Sequence, residues 1–170
     1  MFQPPAARKG SALLVVGVVA VDHEHRDPAL ADHVLRYTSD EQPLLASIDG
    51  VGETTAMVVT AAIGDVNRFS SAKQIVAYFG LNPRIKDSGT SVHGRSHIQK
   101  KGNSLVRYYL FNCVLAMTRK PNHPIAKFYR RLCKHGKPKL VALTACMKKL
   151  VTIMFAMLKS NTKFSASYAS

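Results

Sequence analysis

The sequence predicts a mainly α-helical protein: a helix-hairpin-helix, then a basic loop or short β-hairpin, then a C-terminal helical bundle. Three observations carry this. From Ser104 onward, apolar residues recur at helical spacing almost to the end, interrupted only at Pro121–Pro124 and Gly136–Pro138. The turn Ile48-Asp49-Gly50-Val51-Gly52 separates two apolar stretches. Between Leu81 and Arg107 the periodicity lapses into LNPRIKDSGTSVHGRSHIQKKGNSLVR, a polar stretch with few apolar anchors.

The chain, at 170 residues, can bury a real core as one compact domain or two small ones. The expected division is a poorly defined N-terminal remnant (1–38), a main domain (39–160) and a polar tail (161–170). Ala12–Val21 is apolar and β-branched, which fits a buried strand or helix better than a signal peptide. No span reaches the roughly 18 apolar residues that cross a bilayer, so a cytoplasmic protein without a membrane partner is expected. Asp22, His23, Glu24, His25, Asp27 and Asp32 mix carboxylates and imidazoles, but their spacing matches no standard metal-ligand pattern. They read as a solvated loop running into a helix capped by Asp27, with Pro28 at its first position, and no metal site is assigned. Cys113, Cys133 and Cys146 are odd in number and sit in helical patterns, so they read as reduced core residues.

Ser39 has the chemistry to cap a short helix with Leu44, Leu45 and Ile48 on its inner face. The Gly-Val-Gly turn leads into a helix over 53–63. Its glycines permit close backbone approach, and the amides entering the second helix can hold a phosphate oxygen, making Gly50, Val51 and Gly52 a candidate auxiliary grip. Asp49 and Glu53 lie nearby and oppose it. Ser70 or Ser71 caps a helix through Tyr78 that ends at Gly80. Asn82-Pro83 then opens the polar stretch, where Asp87-Ser88-Gly89 has turn chemistry and Ile85, Val92 and Ile98 are the apolar anchors. Ser104 is expected to cap a helix to about Arg119. A second helix, from Ile125 to about His135, sets Lys127, Arg130, Arg131 and Lys134 against Phe128 and Leu132, and a third runs from Leu140 to Leu158.

Charge separates the two halves. Up to Pro83 there are six lysines and arginines against nine acids; from Arg84 onward there are eighteen against Asp87 alone. So dense a field of one sign repels itself and calls for a polyanion, most simply nucleic acid. The candidate phosphate contacts are Arg84, Lys86, Arg95, Lys100, Lys101 and Arg107 around the polar stretch, with Arg130 and Arg131 beyond it.

IDGVGETTA, FSSAKQIVAYFGLNP, DSG, HIQKKGNSLVRYYL and HPIAKFYRRLCKHGKPKLVALTACMKKLV follow one another in an order that resembles the C-terminal domain of bacterial insertion-sequence 110-family transposases, shared with Piv-like DNA invertases. The resemblance covers about residues 42–159. It implies an RNA-guided, oligomeric DNA recombinase with a composite active site. A ribonuclease H-like domain supplies carboxylates that bind Mg2+, and the C-terminal domain supplies a nucleophilic serine. That serine maps onto Ser88, with Gly89 leaving room for the phosphate; Ser91 and Ser96 are the fallback positions. A serine nucleophile needs a proton acceptor and cations around the pentavalent phosphate, and His93 and His97 could relay the proton.

The N-terminus departs from the family pattern. Only 49 residues precede Gly50, and the acids among them are crowded, whereas a ribonuclease H-like site gathers acids from distant strands and helices. The expectation is therefore a truncated or split transposase with no cofactor of its own, its Mg2+ belonging to the missing carboxylate domain. Its expected partners are DNA, a structured guide RNA, and further copies or a complementing transposase. The alternative is a non-catalytic helical module that binds DNA or RNA.

Overall fold

The computed structural model describes residues 43–84, 97–98 and 102–164, and those residues form a mainly helical assembly. A helical turn over 43–46 leads through the Gly-Val-Gly turn into α1 (Glu53–Ile63), followed by a 3-10 turn (Val66–Arg68) and α2 (Ala72–Tyr78). Two short strands, β1 (Pro83–Arg84) and β2 (His97–Ile98), pair antiparallel, Pro83 opposite Ile98 and Arg84 opposite His97. Then come α3 (Ser104–Thr118), α4 (Pro124–Lys134) and α5 (Lys139–Ser160).

α5 is the centre of the assembly, with α2, α3 and α4 packed around it and α1 packed on α3. Its buried side chains, among them Leu150, Met154 and Met157, recur every three or four residues, as one continuous inward face requires. This helix is long and apolar enough to span a membrane, contrary to the expectation that no stretch is. Its inward face is taken up by α2, α3 and α4 instead. Leu44, Leu45 and Ile48 are buried, as the pattern before the turn predicts.

Helix ends follow local chemistry. Gly80 takes a positive φ of 69°, and the Leu81 amide donates to the Val76 carbonyl at 3.0 Å, closing α2 in a Schellman-type turn. α3 is capped by Asn103, whose Oδ1 accepts from the Val106 amide at 3.1 Å; Ser104, the expected cap, is the first helical residue. Asn161 ends α5 in the left-handed conformation that asparagine tolerates. The expected polar tail returns to the fold at its start, where the Phe164 amide donates to Ser47 Oγ at 3.1 Å.

Gly102 sets the base of the polar stretch. Its φ is 139°, and a Cβ there would lie 2.7 Å from the Tyr78 carbonyl oxygen and 2.8 Å from the Gly80 nitrogen. The chain entering α3 thus presses directly on the backbone that ends α2.

Gly102→Ala should cost more than the roughly 1–2 kcal/mol of an ordinary left-handed alanine, because the obstacle is backbone. Among the described residues the buried Thr60 Oγ1 has no hydrogen-bond partner, so Thr60→Val should raise stability by about 1 kcal/mol. Urea melts of both variants check these outcomes.

Candidate nucleic-acid interface

The two glycines of the Gly-Val-Gly turn have different physical reasons. Gly50 has φ 94°, and a Cβ would sit 2.7 Å from Met117 Cγ, so its glycine is demanded by packing on α3. Gly52 has an ordinary φ of −77°, and a Cβ there would meet nothing within 4 Å. It is exposed at the N-cap of α1, where no side chain caps the helix. Ile48 and Val51 are buried and anchor the turn, so Val51 can offer a ligand only its backbone.

The turn is fastened to the far end of α3. Asp49 forms an ion pair with Lys120, both side chains being about half exposed. The Lys120 hydrogen bond holds the Asp49 carboxyl below its ordinary pKa. An exposed pair of this kind adds little stability. Its effect is on sign, since Asp49, an acid expected to repel phosphate, is matched by a cation that sequence reasoning did not pair with it. His123, buried at the N-cap of α4, completes the fastening. Its Nδ1 accepts from the Ile125 amide at 3.2 Å, and its Nε2 lies 3.0 Å from the Asp49 carbonyl oxygen. With Nδ1 accepting, Nε2 carries the proton, so the neutral imidazole satisfies both bonds. The sequence signal for this cap was Pro124 at the first helical position, which was read only as a helix breaker.

At the other end of α3 is the stem of the polar stretch. Arg84 lies in β1 and His97 in β2. Arg107, a candidate phosphate contact, is partly buried, and its Nη1 donates to the Phe79 carbonyl at 3.2 Å, so part of its guanidinium secures the α2–α3 junction. Lys86, Ser88, Gly89, Ser91, His93, Arg95, Ser96, Lys100 and Lys101 lie outside the described residues.

On α4, Lys127, Arg130, Arg131 and Lys134 are all exposed, while Ile125 and Ala126 face inward. Positions spaced by three and four residues form one stripe, and the helix contains no acid. Arg130 donates to the Pro121 carbonyl, and the Arg131 guanidinium lies 5.2 Å from the centre of the Phe128 ring. Lys149 of α5 places its Nζ 6.0 Å from the centre of the same ring.

Among the described residues, no group of His, Cys, Asp and Glu gathers as a metal site. The acids at Asp22, Glu24, Asp27 and Asp32 lie outside them. Cys113 and Cys146 are buried as expected, and burial pushes the Cys146 thiol up to about 12. Cys133 is only half-buried, a departure from the core role expected of it.

Burial holds the His123 pKa below its ordinary 6.5. The unfolded chain therefore takes up the proton first. The His123 contribution is complete above about pH 6.5 and drains away as pH falls through the lower folded-state value. In His123→Asn, which keeps an N-cap acceptor, stability should vary less across that acid range; denaturant melts between pH 7 and 5 check it.

A family model described as the transposase IS116/IS110/IS902 family matches residues 42–130. The chain is 37% identical over 121 residues to a pilin gene-inverting protein of Moraxella bovis, covering 71% of this chain and 38% of that protein. It is 30% identical over 154 residues to an uncharacterized 43.6 kDa protein of insertion element IS110 from Streptomyces coelicolor, covering 90% of this chain and 37% of that one. A third relative, the transposase for insertion sequence element IS1111A of Coxiella burnetii, is 32% identical over 100 residues, covering 56% of this chain and 27% of its own. The chain thus spans less than two-fifths of the length of these relatives. With more than half of its residues inside the matched region, and with that region running from before the Gly-Val-Gly turn into α4, the chain belongs to the IS116/IS110/IS902 transposase family.

Proposed function

We propose that this chain acts in DNA transposition or site-specific recombination as the serine-bearing C-terminal part of a transposase. Family membership carries the reading, and the large excess of positive charge from Arg84 onward supports DNA as the substrate.

In this reading Ser88 Oγ attacks the phosphorus of a DNA phosphodiester. The new serine–phosphate ester forms as the bond to the leaving sugar oxygen breaks, and that oxygen departs with a proton. The serine proton passes to His93 or His97, or to a carboxylate of the complementing domain. Gly89 admits the phosphate. Arg84, Lys86, Arg95, Lys100, Lys101 and Arg107 stabilise its extra charge. The hairpin at Gly50–Gly52, together with Arg130 and Arg131, holds the flanking backbone. Mg2+, bound by the carboxylate domain that the family resemblance implies, would activate the attacking oxygen. Among the described residues nothing gathers to bind it, and no step here depends on it. Structured guide RNA and a second copy or complementing transposase belong to the same reading.

Ser88→Ala, mixed with a partner supplying the carboxylate domain, should abolish the covalent protein–DNA adduct on a denaturing gel while changing DNA affinity less than about twofold. An adduct at wild-type level would move the nucleophile to Ser91 or Ser96, or away from this segment. Gly52→Ala should leave the melting curve unchanged, because the site is sterically open, yet weaken DNA binding if phosphate approaches the α1 amides.

A further inference from the structure

α3 separates two basic regions. Its first residues follow Gly102, at the stem of the serine-bearing stretch, and its last turn carries Met117 against the hairpin glycine and leads to Lys120, His123 and α4. Fifteen helical residues span about 22 Å, so the stem and the start of α4 lie at opposite ends of that length.

The cations near α4 fall into two kinds. Lys120 is matched by Asp49, and its charge is spent inside the protein. Arg130 and Arg131 are held by a carbonyl oxygen and an aromatic ring, which orient a guanidinium without cancelling its charge. With Lys127 and Lys134 they form a stripe about 10 Å long, on a helix whose neighbour α5 also lacks acids. Like charges three and four residues apart weaken the helix that carries them, and the contacts of Arg130 and Arg131 leave Lys127 and Lys134 unexplained. Phe128 is half-buried between α4 and α5, and it carries Arg131 and Lys149 instead of offering an open stacking face. A single strand is usually gripped by exposed rings on which bases stack, and this stripe offers none.

We infer that Lys127, Arg130, Arg131 and Lys134 form a second, non-catalytic surface for the phosphate backbone of duplex DNA, at the opposite end of α3 from the serine-bearing stem. The inference rests on the reading of this chain as a DNA recombinase part. At 3.4 Å of rise per phosphate on one strand, the stripe matches about three successive phosphates. The surface reads no sequence, because it meets the backbone and not base edges.

The experiment measures fluorescence anisotropy of a labelled 30-base-pair DNA duplex with the full chain, at several salt concentrations. The wild type is compared with the variant in which all four residues are glutamine, and a duplex RNA of the same sequence serves as competitor. The expected result is a log–log salt slope shallower by roughly 2–3 units in the variant, with weaker binding to every DNA sequence alike. A thermal melt close to wild type is also expected, because relieved repulsion on α4 offsets the lost contacts of Arg130 and Arg131. If the wild type binds duplex DNA steeply and the variant keeps the same slope, the α4 surface is wrong while the recombinase reading stands. If the variant loses duplex RNA binding but keeps DNA binding, the DNA assignment is overturned. If the wild type binds no DNA at low salt, both readings fall. A variant that melts far below wild type is replaced by Arg131→Gln alone, for which a slope change of about 1 supports the surface and no change overturns it.

Discussion

Burial of α5 is the constraint on which the rest of the fold depends. Its inward residues give α2, α3 and α4 a common surface, and neither α2 nor α4 brings enough apolar area to stand without it. α4 in particular buries only Ile125 and Ala126 outright, so the rigidity of its basic face is borrowed from the helix beneath. An isolated helix of eleven residues with four cations on one side would be marginal in water. Docked on α5, it holds those charges at fixed spacing. Packing is thus the first requirement of the electrostatics.

The fold also distributes its hydrogen bonds so that charge is conserved where nucleic acid is expected. At the hairpin, Asp49 and Lys120 cancel each other, while His123 adds two bonds and, as a neutral imidazole, no net charge. On α4 the partners of the arginines are neutral. Arg107 and Arg68 show the opposite use, as structural cations. Arg107 is tied to the Phe79 carbonyl, and Arg68 lies 4.7 Å from the Phe69 ring centre and 4.8 Å from that of Tyr78. Counting positive residues along the chain does not distinguish these roles; their partners do.

Much of the helical frame was legible from the sequence, because its signals are local. The helix over 53–63 is set by the glycine turn before it and Gly64 after it, and the end of α2 by Gly80. What depended on distant contacts was not legible. Asn103 and Ser104 are both good caps, and nothing local decides between them. The reason for Gly50 lies on Met117, and the acceptor of the His123 Nε2–H is the backbone of a residue 74 positions away. The apolarity of α5 looks the same for a core helix and a membrane span until its neighbours are known. The family was legible in the ordered motifs, whereas Ser88 and the candidate cations Lys86, Arg95, Lys100 and Lys101 lie outside the described residues.

The stem at β1 and β2 has a consequence for how such a protein changes over time. Its two strands leave and rejoin the helices side by side, pinned by Gly102 against the backbone that ends α2. Paired strands stand about 4.8 Å apart whatever joins them. The helical frame therefore meets the two strand ends at one fixed separation. Substitutions that keep the strand pairing and Gly102 leave the α2–α3 junction as it is. What the helices inherit from this region is thus a spacing, held by one glycine and two residue pairs.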